Sequence, residues 1–108
     1  MATDKISNRP WGQISEKDYE TAGAFCRACL IDLNPGDDKV KSLCKLPVYE
    51  PDGTLNRNAV HAAAAALAGA RGGVDAPPEA KKQAAKRLLR LYEQLGETPP
   101  DSIVRLAK

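Results

Sequence analysis

The strongest periodic signal lies near the C-terminal end of the chain. Ala80, Ala84, Leu88, Leu91, Tyr92 and Leu95 recur at spacings of four, four, three, one and three, which traces one apolar stripe of an α-helix. Lys81, Lys82, Lys86, Arg87, Arg90 and Glu93 fall mostly off that stripe. Asp75 or Ala76 opens this helix, and Pro77, Pro78 and Glu79 occupy its first turn, where missing amides cost nothing. Gly96 caps its end and Pro99-Pro100 block continuation. Upstream, Val60, Ala63, Ala64 and Leu67 share a face over roughly 59–70, with Asn56 or Asn58 as the cap. The run of five alanines, Ala62–Ala66, gives high helix propensity with little bulk. This helix is therefore expected to sit centrally and to pack closely on the next one through Leu88, Leu91 and Leu95. Gly69, Gly72 and Gly73 around Arg71 stop it.

A different period governs the middle of the chain. Val40, Ser42, Cys44, Leu46 and Val48 alternate with Lys41, Lys45 and Tyr49, the pattern of a half-buried strand, and Pro47 confines that strand to an edge. The stretch Phe25–Leu33 fits a helix through positions 22, 26, 29 and 33. It also fits a strand through Cys29-Leu30-Ile31 and the turn Asn34-Pro35-Gly36-Asp37, and a strand over 27–33 is favoured. The two strands make a small hairpin, and Glu50-Pro51-Asp52-Gly53 is a turn. Ser15 with Asp18 three residues on reads as a capping box for a first helix from about Glu16, with Tyr19 and Ala22 on one face. Residues 1–14 form an irregular lead-in anchored by Trp11, and 15–96 form a single small globular domain. Residues 97–108 are a Pro-containing tail or a short helix capped by Asp101. The predicted class is α+β: a small, mainly helical domain of two to three helices with a short β-hairpin.

Composition narrows the function. The 108 residues are 43% hydrophobic, 28% charged and 5% aromatic, with net charge +2. That suits one compact domain and excludes a disordered chain. No stretch approaches the ~20 apolar residues of a bilayer span, and Met1-Ala-Thr-Asp-Lys has no apolar signal core, so neither membrane insertion nor secretion is expected. So short a chain has little room for a deep pocket and the shells that orient catalytic groups. No catalytic residue and no cofactor are assigned. Three cysteines, an odd number, argue against a closed disulfide framework and for a reducing compartment.

Several constellations invite chemistry. Cys26-x-x-Cys29 with Cys44 and His61 offers a Cys3His zinc set. No glycine turn follows the sulfurs, however, and the spacings match no common finger. Three small buried hydrophobes are the simpler reading, and no metal is expected. His61 reads as a surface or capping imidazole, because nothing near it supplies the orienting group of a Cys/His nucleophile pair. Gly69-Ala70-Arg71-Gly72-Gly73 lacks the Gly-Lys-Ser/Thr ending of a phosphate loop and follows a helix instead of a strand. The basic residues carry more weight. Between Arg71 and Leu95, six of them face Asp75, Glu79 and Glu93, a local excess of three. Lys82, Lys86 and Arg90 repeat every four residues along one side of the helix. With Arg71 they form a candidate nucleic-acid face of the electrostatic, sequence-nonspecific kind. An ordinary solvated face is the plain alternative, since the overall charge is weak and the stripe has no aromatics for base stacking.

Several segments also form an ordered block: Lys45-Leu46-Pro47-Val48; Pro51-Asp52-Gly53-Thr54-Leu55-Asn56; Val60 through the alanines to Gly69-Ala70-Arg71-Gly72-Gly73-Val74; a charged helix ending near Leu91-Tyr92; and Gly96-Glu97-Thr98-Pro99-Pro100. Over roughly residues 25–100 this resembles a small domain that recurs in tailed-bacteriophage head and prohead-protease proteins, alone or appended to the protease. The resemblance implies a phage or prophage origin, a role around capsid assembly and a location in the host cytoplasm or the virion. It brings no catalytic centre, because the Ser/His machinery belongs to the larger protease domain. The expected function is a non-enzymatic assembly or interaction module for a phage structural or head-assembly protein. Contacts would run through the hairpin edge or the exposed aromatics Trp11 and Tyr49. A nucleic-acid-binding module using Lys82, Lys86, Arg90 and Arg71 is the alternative.

Overall fold

In the computed structural model, which describes residues 6–69 and 73–108, the elements run β1 (Ile6–Ser7), α1 (Ala22–Ala28), β2 (Cys29–Asp32), β3 (Cys44–Pro47), β4 (Leu55–Asn56), α2 (Arg57–Leu67), α3 (Pro78–Leu95) and α4 (Asp101–Leu106). The α+β class with a hairpin is borne out. The chain divides into two compact units, the first ending at Ala59 and the second running from Val60 to Lys108, where the hydrophobic pattern predicts one unit over 15–96.

In the first unit β2 and β3 pair antiparallel, with Cys29 opposite Pro47, Ile31 opposite Lys45 and Asp32 opposite Cys44. The ambiguous stretch before the turn is both things in succession, a helix to Ala28 and a strand from Cys29. The strand predicted over Val40–Tyr49 is shorter. A single 3-10 turn occupies Lys41–Leu43, and Leu46 takes a left-handed backbone, φ 63°. A leucine reaches that region only when its surroundings impose it, and the step interrupts the alternation of faces. The lead-in is not wholly irregular, because Ile6 and Ser7 pair in parallel with Leu55 and Asn56 as β1 and β4.

The helix predicted from Glu16 is one 3-10 turn, Glu16–Asp18. The Asp18 carboxylate does accept the Ser15 N–H, at 2.8 Å, but the chain then straightens to bury Tyr19. Thr21 provides a second cap, its hydroxyl accepting the Ala24 N–H at 3.0 Å, and α1 starts there. The core of this unit gathers Tyr19, Phe25, Cys26, Ala28, Cys29 and Cys44, with Ile14 and Tyr49 packed against it. The predicted turn is present. Gly53 donates to the Glu50 carbonyl at 2.8 Å from a backbone of φ 90° that favours glycine.

The Tyr19 hydroxyl donates to the Tyr49 carbonyl. Burial foremost, with Cys29, Glu50 and Asp18 adding to it, pushes the phenol up to about 12 from 10.0. The folded state thus holds the Tyr19 proton more tightly than the unfolded state does. The stabilisation is fully present below pH 10 and is lost as pH rises from there through about 12. Tyr19→Phe is expected to remove this alkaline loss and to cost about 1 kcal/mol at neutral pH through the missing hydrogen bond. Denaturant melts across that pH range check both effects. An unchanged alkaline limb in the variant would assign the loss to another group.

In the second unit α2 buries Val60, Ala63, Ala64 and Leu67. On α3 the buried positions are Ala84, Ala85, Leu88, Leu91, Tyr92 and Leu95, close to the predicted stripe. Gly96 closes α3 in the left-handed region, φ 75°, and Glu97 donates to the Tyr92 carbonyl at 2.9 Å. The tail resolves into α4, with Ile103 fully buried. Among the described residues the most extensive helix–helix contact of this unit is α3 on α4, while α2 meets α3 where the His61 ring stacks on Tyr92. Five residues, Gly96–Pro100, separate α3 from α4, and so short a connection folds the second helix back onto the first. The alanine face of α2 is buried through Ala63 and Ala64.

Candidate functional site

The cysteines are the first candidate. Cys26 on α1 and Cys44 at the head of β3 are joined in a disulfide, with Cα atoms 5.3 Å apart. This corrects the expectation of no disulfide, since an odd count leaves one thiol over without forbidding one pair. The bridge spans 18 residues of sequence, and a loop of that size restricts the unfolded chain by about 3 kcal/mol. Cys29 is buried in β2 and lies outside the bridge. His61 is on α2, where its Nε2 meets Glu97 Oε1 at 2.7 Å and its ring stacks on Tyr92 at 6.0 Å. The Cys3His set, from which no metal is expected, is not the group that gathers. Among the described residues the donor atoms that come together are those of Cys26, Cys44 and Asp32, all within 4.8 Å of one another.

Asp32 reaches the sulfurs because it stands opposite Cys44 in the hairpin. Its Oδ2 accepts Lys39 Nζ at 2.8 Å, and its Oδ1 accepts the Asn34 N–H and the Asn34 Nδ2 at 2.9 and 2.8 Å. The Lys39 hydrogen bond foremost, with those of Asn34, pulls the carboxyl down to about 2. Asn34 is the hub. Its Oδ1 accepts the Val40 N–H at 2.8 Å, and its Nδ2 lies 3.3 Å from Cys44 Sγ and 3.7 Å from Cys26 Sγ. Neither Asp32 nor Asn34 is visible as functional in the sequence, where the turn Asn34-Pro35-Gly36-Asp37 accounts for them. The available signal is an Asp two residues before an Asn, at the mouth of a hairpin closed by cysteines.

Trp11 and Tyr49 are less available than the sequence predicts. Both are only partly exposed, and Tyr49 packs on the core. Among the described residues the exposed large apolar side chains are instead Val40 (50%) and Leu43 (36%), on the segment leading into β3. Tyr49 borders a shallow cleft of about 180 Å³ with Ala24, Arg27, Ala28, Glu50, Pro51 and Gly53. Glu50 is buried there, and its carboxylate accepts Arg9 Nη1 at 3.3 Å and Asn56 Nδ2 at 2.8 Å.

The basic stripe lies on the outer part of α3. Lys86 and Arg90 are exposed and Lys82 is half-buried, while Ala84, Ala85 and Leu88 face inward. Among the described residues none of the three has a carboxylate within ion-pair distance. Arg71, the fourth member, lies outside the described residues. No helix among the described residues is long and apolar enough to cross a membrane. Comparison with family models, with curated proteins and with solved structures finds no match.

Proposed function

We propose that the chain is a non-enzymatic assembly module of bacteriophage origin that presents a surface to a capsid or prohead protein. The observation that carries this reading is the exposed pair Val40 and Leu43 beside β3. Apolar surface left in water next to a strand is what a partner removes on binding. The ordered block that resembles a phage head-associated domain supports the same reading. The test is calorimetric titration of the chain with the purified major capsid protein and prohead protease encoded in the same genome. Binding is expected, together with at least a tenfold loss of affinity in Val40→Asp/Leu43→Asp at an unchanged melting temperature. The absence of binding to both proteins would overturn the reading.

A second reading rests on Lys82, Lys86 and Arg90, three cations aligned without carboxylate partners among the described residues. If they contact duplex DNA, affinity falls with salt at a slope of about 0.9 per phosphate neutralised. The variant Lys82→Ala/Lys86→Ala/Arg90→Ala is then expected to lower that slope by about three such units, whatever the DNA sequence. No binding to DNA or RNA at low salt removes this reading.

A further inference from the structure

We propose that Cys26, Cys44 and Asp32 form a redox-gated site for a thiophilic divalent cation of the zinc class, closed when the two sulfurs are bonded to each other and open when they are reduced. The two sulfurs and a carboxylate oxygen already lie within 4.8 Å of one another, on three different segments. Once the sulfur–sulfur bond is gone, the two sulfurs move apart to admit an ion, with the carboxylate already beside them. Two thiolates and a carboxylate suit zinc, which takes four ligands and leaves a fourth position here for water.

A second observation points the same way. Asn34 Nδ2 contacts all three donors, at 2.8 Å from Asp32 Oδ1, 3.3 Å from Cys44 Sγ and 3.7 Å from Cys26 Sγ. An N–H aimed at metal-binding sulfur and oxygen is the outer-shell arrangement that orients ligands and tempers thiolate charge. Lys39 competes for Asp32, but both side chains are about 30% exposed, and a pair so close to solvent separates at little cost.

The chemistry balances. A dithiol transfers two electrons and two protons, the Cys26–Cys44 bond breaks, two thiols form, and the reductant closes to its own disulfide. The cation then forms two metal–sulfur bonds and releases the two thiol protons. In a reducing compartment the bridge would not persist and the open form would prevail.

The test titrates Zn2+ into the full chain, oxidised or reduced with a phosphine and desalted under argon. Metal per chain is read by elemental analysis after gel filtration, and Co2+ is used in parallel for its sulfur-to-metal charge-transfer band. One ion per reduced chain is expected, with none on the oxidised chain. Cys26→Ser is expected to abolish binding and Asp32→Asn to weaken it at least tenfold, while Cys29→Ser and His61→Ala leave it unchanged. If the reduced, metal-free chain loses its fold by circular dichroism, one equivalent of Zn2+ is expected to restore it. The proposal is overturned by a reduced chain that takes up no metal or is not restored by it. Equal uptake by the oxidised chain, full affinity in Asp32→Asn, or loss of binding in Cys29→Ser or His61→Ala would overturn it as well.

Discussion

Asn56→Ala is expected to destabilise the first unit by about 3 kcal/mol, because one buried side chain there serves three partners. Asn56 is fully buried. Its Oδ1 caps α2 by accepting the Ala59 N–H at 2.8 Å, and its Nδ2 donates to Glu50 Oε2 at 2.8 Å and to the Arg9 carbonyl at 3.2 Å. Loss of the cap costs about 1 kcal/mol. Stripping a buried carboxylate oxygen of its donor adds about 1–3 kcal/mol. Arg9 cannot compensate, since its side chain is 55% exposed and engages only the other oxygen, at 3.3 Å. Two further variants separate these contributions. Asn56→Asp keeps the cap acceptor but sets a second carboxyl against Glu50, so its loss should match or exceed that of the alanine and ease at acid pH. Glu50→Gln placed on Asn56→Ala should recover part of the loss, as coupled neighbours do in a double-mutant cycle. Urea melts read all three, and a loss below about 1 kcal/mol in Asn56→Ala would remove Asn56 from this role.

The elements with long, unopposed periodicity were legible. The α3 stripe, its Gly96 stop and the cap of α2 follow from local rules that tertiary packing did not override. The hairpin was legible as a pairing but not in extent, because Leu46 steps out of the extended region and Val40–Leu43 turn away before the strand begins. The start of α1 departs from the capping pattern for a related reason. Ser15 and Asp18 form a genuine cap, yet burying Tyr19 beside Phe25, with ring centroids 5.2 Å apart, requires the chain to extend and restart. A capping motif announces that a helix begins and says nothing about its length.

The candidate site was legible by residue type only. Cys26 and Cys44 stand out as chemistry in any reading, and so does Cys29, which follows Cys26 by three residues; yet α1 ends between the two and β2 carries Cys29 into the hairpin. Proximity in sequence groups Cys26 with Cys29, whereas strand pairing places Asp32 opposite Cys44. Register of that kind is invisible until both strand boundaries are known. Trp11 and Tyr49 illustrate the complementary limit. Large aromatics attract attention as contact residues, but Tyr49 packs on the core and Trp11 is only partly exposed, while Val40 and Leu43 are left facing solvent.

Leu88→Ala should be the most damaging single change in the second unit, at about 3–4 kcal/mol, and Leu89→Ala provides its control. Leu88 is fully buried in α3, whereas Leu89, one step around the helix, is only partly buried. Both substitutions change helix propensity by the same small amount, so the difference between them reports burial and the cavity left behind. The surroundings are poorly placed to collapse into that cavity. Ala84 and Ala85, both fully buried on the same helix, have no longer side chain to swing in. Leu89→Ala is expected to cost less, because part of its apolar area is already in water and its removal leaves a less enclosed gap. Thermal and urea melts of the two variants give the comparison directly, and equal losses would mean that α3 turns a different face inward. That face also decides whether Lys86 and Arg90 point outward. If the Leu88 and Leu89 variants separate as expected while Lys86→Ala leaves stability within about 0.5 kcal/mol, the basic stripe is available to a polyanion without belonging to the core.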